Sequence, residues 1–240
     1  MKTRLRLAMV LAQVVVLFLT PCFGKNSSEI VKQRERNTIS LELEITRKNS
    51  NALQRLMSFL NLEPNGYATG FLVGDRLVMT AYHVVSANID ESKKFALGFG
   101  RNDELQAKVF TNGCQAKVVK VDEAADLALL EVCGLSKQGS ALSFQSNLSQ
   151  NEAILLIARP RGDRVISQGT FSGPYSMNGV DYWSGKITAR DGFSGSPVYN
   201  EKGEIVGVFS GYDWIRKLAV ISPGTRAQKL LEEYSAAPRP

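Results

Sequence analysis

Histidine is almost missing from this chain. His83 is the only one in 240 residues. Imidazole is the side chain whose ordinary pKa lies near neutrality, so proton transfer at neutral pH has one obvious seat. Cysteine is scarce too, with three in all, and Cys22 falls at the edge of an export-signal pattern, leaving Cys114 and Cys133. The apolar run Leu7–Leu19, broken only by Gln13, is short of the ~20 residues of a membrane span. No internal repeat and no low-complexity segment is present. The excess of positive charge is small where it matters. Of the net charge of +6, Lys2, Arg4 and Arg6 supply three units, and +3 remains once residues 1–24 are set aside. That balance argues against a nucleic-acid-binding surface.

Residues 1–24 read as a signal peptide. A basic start precedes the apolar run, and Cys22-Phe23-Gly24 offers small residues at the positions a signal peptidase reads. The expectation is an exported protein, periplasmic or secreted, with no stable membrane span after cleavage. An uncleaved anchor is one alternative. A lipid anchor at Cys22 is another, since Leu19-Thr20-Pro21-Cys22 resembles a lipobox except for its proline. Asn26-Ser27-Ser28 and Asn147-Leu148-Ser149 are glycosylation sequons that matter only in a glycosylating host.

Lys25–Thr38 is polar, without hydrophobic period, and reads as flexible. Ile39–Ile45 alternates apolar and polar at period two, the pattern of a half-buried strand. Leu53, Leu56, Met57 and Leu60 recur at helical spacing, predicting a short amphipathic helix over Asn51–Leu62 before Pro64-Asn65-Gly66. Residues 25–64 are therefore an N-terminal extension or a prosegment. From Tyr67 onward short β-like runs dominate, near 67–73, 76–82, 94–100, 105–111, 115–121 and 127–132. A polar stretch follows over Ser136–Gln150. Further strands are expected near 153–158, 164–173, 182–188, 196–199, 204–209 and 217–222, separated by Gly, Asn and Asp. Ser222 and Pro223 then open a C-terminal helix over about 223–235. Two groups of six short strands imply an all-β fold, two packed six-stranded antiparallel barrels at about 65–135 and 150–222. A hairpin turning at Asp122–Asp126 brings Cys114 and Cys133 roughly opposite. A disulfide and two free buried thiols are both open.

Ser194 lies between glycines in Gly192-Phe193-Ser194-Gly195, where tight backbone geometry exposes a side chain to an approaching substrate. A serine nucleophile needs a base, and His83 is the candidate. The base needs a partner that fixes its tautomer, and Asp126, at the mouth of the apolar run Leu127–Leu130, is the candidate. Asp122 and Glu123 compete for that role, and the plainer reading of Asp126 is a turn residue.

Three segments carry a resemblance: Thr80-Ala81-Tyr82-His83, Asp126-Leu127-Ala128-Leu129-Leu130, and Gly192-Phe193-Ser194-Gly195-Ser196-Pro197-Val198. In this order, with separations of 43 and 68 residues, they resemble trypsin-like (chymotrypsin-fold) serine proteases. The run from Ser194 to Val208 is closest to the V8-like, glutamyl-endopeptidase branch. The resemblance covers about residues 65–235. It implies an exported serine endopeptidase acting on peptides or proteins through Ser194, His83 and Asp126. The backbone N–H groups of Gly192 and Ser194 would form the oxyanion hole, with no metal or organic cofactor required. The rival from another class is a pseudoprotease that binds peptides without cleaving them.

The chain departs from the family pattern in several places. Phe193 replaces the acidic or amide residue common before the serine, and no Ile-Val-Gly-Gly start is present. Activation by a new N-terminus pairing with an aspartate there is closed to this chain. Ser196 stands where many relatives have glycine. By alignment, Thr188 lies near the base of the primary specificity pocket, Phe209, Ser210 and Gly211 form a wall, and Ser210 to Tyr212 pair with substrate backbone. Phe209 occupies the place of the histidine that binds glutamate in glutamyl endopeptidases, and position 188 carries no carboxylate for Arg or Lys. An uncharged, small or apolar residue before the cleaved bond is the expectation. Arg190 is a solvated loop arginine or a contact for an acidic side chain.

Overall fold

The computed structural model describes residues 26–48, 66–89, 91–136, 142–177 and 179–237. The signal-peptide reading and the helix expected over Asn51–Leu62 lie outside the described residues. Among the described residues no helix is long and apolar enough to cross a membrane.

Two β-structures pack against one another. The first is a seven-stranded antiparallel sheet in the order β5-β4-β1-β2-β3-β7-β6. Its strands are β1 Thr38–Arg47, β2 Gly66–Gly74, β3 Leu77–Thr80, β4 Leu105–Thr111, β5 Cys114–Gln115, β6 Lys117–Asp122 and β7 Leu127–Glu131. The second is a closed barrel, β10-β13-β12-β11-β8-β9. Its strands are β8 Ala153–Ala158, β9 Val165–Met177, β10 Val180–Lys186, β11 Pro197–Asn200, β12 Ile205–Asp213 and β13 Leu218–Pro223. Helices α1 (Asn26–Arg34), α2 (Tyr82–Ser86), α3 (Glu91–Ala96) and α4 (Gly224–Ala236) complete the described elements, with short 3-10 turns at Glu35–Asn37 and Pro160–Gly162.

The second group of strands closes with six members, as its spacing predicts. The first differs, because β1 enters between β2 and β4, pairing with both. The edge strands β5 and β6 are joined through Ala116 alone, so the sheet curls until its edges meet through one residue. Cys114 and Cys133 form a disulfide across that seam, with Cα atoms 6.0 Å apart.

Several segments depart from the sequence expectation. Ser222 does not cap the C-terminal helix, because its hydroxyl donates to Ala125 O and Pro223 precedes the first turn. The strand expected over 76–82 ends at Thr80, with Tyr82 already helical. Residues 94–100 are not a strand: Glu91–Ala96 is α3. The apolar alternation there reflects a small outer cluster, in which Leu97 and Phe99 pack beside Ile45, Ala87 and Leu105. Residues 26–34 are not loose chain either but α1. Ile30 and Val31, adjacent rather than periodic, are both buried in the main core with Tyr199 and Leu230. Two residues side by side leave no 3.6-residue signature to read.

That main core runs between the halves. Phe71, Met79, Leu127 and Leu129 of the sheet meet Leu155, Ile157, Tyr199 and Val208 of the barrel. All six residues of β8 are buried, which explains its unbroken apolar sequence. Burying side chains of this size contributes about 1.5–3 kcal/mol each. Burial also holds the Tyr199 hydroxyl well above the usual phenol range. The segment before β1 and the start of β1 itself reach the loop between β8 and β9. Arg164 pairs with Glu35, Arg159 Nη2 donates to Glu35 O at 3.2 Å, and Gly162 N–H donates to Ser40 Oγ at 3.1 Å.

Candidate active site

The pairing of β3 with β7 accounts for the first two side chains. Thr80 lies opposite Ala128, so continuing the antiparallel register sets residue 82 against residue 126. Tyr82 N–H indeed donates to Asp126 O at 3.1 Å. The chain then turns into α2, and His83 N–H donates to Asp126 Oδ1 at 2.8 Å. The β6–β7 turn aims the aspartate. Ala125 N–H donates to Asp122 Oδ1 at 3.1 Å, and Asp126 takes φ 52°, a left-handed conformation that aspartate tolerates better than most residues.

His83 Nδ1 lies 2.9 Å from Asp126 Oδ2, and His83 Nε2 lies 2.8 Å from Ser194 Oγ. A carboxylate only accepts, so Nδ1 carries a hydrogen, and in the neutral imidazole Nε2 is then the nitrogen that accepts from the Ser194 hydroxyl. The Asp126 side chain is 13% exposed, so its remaining lone pairs need donors. Ser210 Oγ supplies one by donating to Oδ2. By sequence Ser210 is expected in the substrate wall, with no sign of this second contact, because it comes 84 residues after Asp126.

The two competing carboxylates are occupied elsewhere. Asp122 is held in a forked pair by Arg226 of α4, with Nη2 at 2.7 and 2.9 Å and Nε at 3.1 Å. Glu123 hydrogen-bonds the Tyr82 hydroxyl and, with its negative charge, holds that phenol above its usual range. Tyr182, behind the turn, is likewise raised, first by burial and then by the charge of Asp126.

Ser194 comes from the barrel, on a loop clamped from both sides. Toward the sheet, Thr69 N–H donates to Ser194 O at 2.9 Å and Thr69 Oγ1 donates to Gly192 O at 2.8 Å. Toward β12, Gly195 N–H donates to Phe209 O at 2.8 Å, and Phe209 N–H donates to Ser196 O at 2.8 Å. Gly195 has φ +83°, and a Cβ there would stand 2.1 Å from Thr80 Oγ1 and 2.2 Å from Thr69 O. No other residue fits. Gly192 has φ +86°, with Pro160 Cβ 2.7 Å from the place a Cβ would take.

Phe193 is 1% exposed. Its ring packs edge-on to Phe209 with centroids 6.3 Å apart, inside the barrel core with Ile187 and Val198. Burial of this side chain anchors the loop in the barrel core. Phe193 N–H donates to Arg190 O at 3.2 Å, while among the described residues neither Gly192 N–H nor Ser194 N–H has an acceptor. Two free donors flanking the serine are suited to a developing oxyanion. No cluster of three or more His, Cys, Asp or Glu side chains suited to a metal ion occurs among the described residues.

The residues expected to form the substrate wall divide. Phe209 is buried and its backbone is engaged by Gly195 and Ser196, whereas Ser210, Gly211 and Tyr212 are half-exposed. Strand β11 pairs with β12 only as far as Pro197 opposite Val208, while β13 continues beside Gly211 and Tyr212. The edge of β12 facing away from β13 is therefore open from Ser210 onward, starting next to Ser194. Thr188 is exposed, and its carbonyl accepts from Ser167 Oγ at 2.9 Å.

Comparison with known proteins decides the family. The sequence profile of the trypsin-like peptidase domain matches residues 68–208. The chain belongs to the trypsin-like peptidase family. It is 32% identical over 154 residues to a probable periplasmic serine endoprotease, DegP-like, from Pseudomonas putida strain F1, a match covering 62% of this chain and 30% of that protein. A DegP-like counterpart from Ectopseudomonas mendocina is 30% identical over 154 residues, with the same coverage of 62% and 30%. The chain thus spans about 30% of the length of these curated relatives. Among solved structures, the active form of the Rv3671c protease from M. tuberculosis superposes with a TM-score of 0.61 at 17% identity, covering 89% of this chain and 87% of that one. Deg5 superposes with a TM-score of 0.57 at 17% identity, covering 85% and 91%. These structures share the fold of this family member: a closed six-stranded barrel, a curled sheet and a C-terminal helix.

Proposed function

We propose that this family member is an exported serine endopeptidase that cleaves peptide bonds through Ser194, His83 and Asp126. One observation carries the reading: an unbroken hydrogen-bond chain from Ser194 Oγ through both nitrogens of the only imidazole to a largely buried carboxylate. The names of the DegP-like relatives, periplasmic serine endoproteases, support both the activity and the export.

Ser194 Oγ attacks the substrate carbonyl carbon while its proton passes to His83 Nε2. The Nδ1–H bond to Asp126 keeps the imidazole in the tautomer that accepts there and stabilises the imidazolium formed. Ser210, through its own bond to Asp126, helps hold that carboxylate in place. The carbonyl oxygen becomes an oxyanion against Gly192 N–H and Ser194 N–H, where loss of one donor typically costs ~10²–10³ in rate. Collapse breaks the C–N bond, and the amine leaves with the proton from Nε2. Water then repeats the sequence on the acyl-enzyme and restores Ser194.

The substrate lies antiparallel along the open edge of β12 at Ser210–Tyr212. The residue before the cleaved bond is uncharged. The one histidine is engaged with Asp126 and Ser194, and buried Phe209 stands where glutamyl endopeptidases use a histidine, so likeness to that branch in the nucleophile loop does not extend to glutamate binding. The test is hydrolysis of a peptide library by the full chain and its Ser194→Ala variant. Cleavage after small or apolar residues by the former alone is expected. Equal rates for both would remove Ser194 from the mechanism.

A further inference from the structure

The end of β12 carries two large apolar side chains in water. Trp214 is 74% exposed and Ile215 is 95% exposed. Lone exposed apolar residues are ordinary, but an adjacent pair on a braced turn is less so. The brace centres on Asp213. Its Oδ1 accepts from Ile215 N–H and from Arg216 N–H, both at 2.9 Å. Its Oδ2 accepts from the Tyr175 hydroxyl at 2.8 Å. The Arg216 guanidinium lies over the Tyr175 ring, 5.5 Å from its centroid, a cation–π contact. The Trp214 ring meets Tyr212 edge-on, with centroids 4.7 Å apart. The turn is tied to the neighbouring β9–β10 hairpin and presents the two side chains outward, so their exposure is built rather than incidental.

This tip continues the open edge that starts beside Ser194. A peptide paired antiparallel to Ser210–Tyr212 advances one residue for each residue of β12. With the residue before the cleaved bond opposite Ser210, the third before it lies opposite Tyr212. β12 ends at Asp213, opposite the fourth residue before the bond, and Trp214 and Ile215 begin the turn just beyond it, where the fourth and fifth substrate residues arrive. We infer that Trp214 and Ile215 form an apolar subsite for the fourth and fifth residues on the N-terminal side of the cleaved bond, so that extended peptides with apolar residues there are selected. The inference rests on the peptide-edge reading of β12, and its test uses binding so that it does not depend on turnover.

The experiment measures dissociation constants for the full chain carrying Ser194→Ala, by fluorescence anisotropy, with labelled peptides. All share the residues from the third before the bond onward. They carry Leu-Leu or Ser-Ser at the fourth and fifth positions. Leu-Leu is expected to bind about tenfold more tightly, the order expected for a partly covered apolar contact. The double substitution W214S/I215S is expected to bring the ratio to about one. W214F is expected to keep most of it, with thermal melting confirming that each variant is folded. A ratio near one in the parent, or an undiminished ratio in the double variant, overturns the inference. So does a ratio near one together with Trp214-dependent sedimentation on phosphatidylglycerol vesicles, which assigns the tip to a lipid surface. Hydrolysis by the chain with Ser194 intact is read separately. Its absence counts against the protease reading and leaves the binding ratio to decide the subsite.

Discussion

The curled sheet and the closed barrel solve the same problem by different means. The barrel is drawn from one contiguous stretch, with every strand paired on both sides. The sheet takes β1 from upstream, places it between β2 and β4, and meets its own edges through Ala116 and one disulfide. The candidate chemistry divides along the same line. His83 and Asp126 are locked together at the end of the sheet, where the β3–β7 register carries over into α2 and the β6–β7 turn, whereas Ser194, its loop glycines and the open edge of β12 belong to the barrel. Thr69, Ser210, the bonds of Ser222 and Tyr182 to the Ala125 and Ala124 carbonyls, and the shared core hold the serine to its base. In the proposed mechanism the proton acceptor is thus prepared within one half and the nucleophile within the other, so that activity would report on how the halves meet.

Breaking that meeting point chemically has the largest expected effect. His83→Ala should lower kcat/KM by roughly 10⁴–10⁶-fold, as loss of a triad base does elsewhere. Hydrogen exchange of both halves should be unchanged, since the imidazole is 40% exposed and carries little of the packing. Next comes the seam of the sheet. Replacing Cys114 and Cys133 with serine opens a loop of 19 residues' separation and should cost about 3 kcal/mol by the chain-entropy account. Denaturant titration would measure it. Exchange should accelerate in β4–β7 and not in β8–β12, and uniform acceleration would show that the halves unfold as one.

A smaller effect probes the bridge itself. Ser210→Ala removes one of the hydrogen bonds onto Asp126 and should lower kcat about tenfold, since bonds to charged groups contribute about 1.5–3 kcal/mol and part is regained from water. KM for short peptides should move less than kcat, and Ser210→Thr should restore much of the loss. The smallest effect is at the far end of the substrate edge. The Arg216 backbone N–H, then the Tyr175 hydroxyl, hold the Asp213 carboxyl below the usual carboxylate range. A folded pKa below the unfolded value stabilises the turn above that unfolded value, about 3.9, and the contribution fades as pH falls through the folded value. Trp214 fluorescence should therefore be steady at pH 5–7 and change below about pH 4. An Asp213→Asn variant should lack that step.

Much of this architecture is legible in the sequence where one physical signal acts alone. Strands 105–111 and 153–158 coincide with β4 and β8, because alternation and continuous apolar burial are unambiguous there. The first group of strands is legible as strands but not as an order, since nothing local says that β1 lies between β2 and β4. The turn into α2 after Thr80 and the helix α3 are short, and tertiary contacts outweigh their apolar patterns. Helix α1 hides because its buried face carries only two apolar residues, adjacent Ile30 and Val31, and is completed by the charged Arg34. At the site, the types and sequence order of His83, Asp126 and Ser194 are enough to nominate them. The Ser210 contact, the burial of Phe193 and the braced Trp214 tip depend on where distant strands cross, and no spacing encodes them.

The most direct test of the central claim is covalent trapping of the folded full-length chain with a fluorophosphonate, read by mass spectrometry. The account predicts one phosphonyl adduct per chain on Ser194, slowed severely by His83→Ala and absent from Ser194→Ala. A folded chain that leaves Ser194 unmodified, or reacts as fast without His83 as with it, would contradict it.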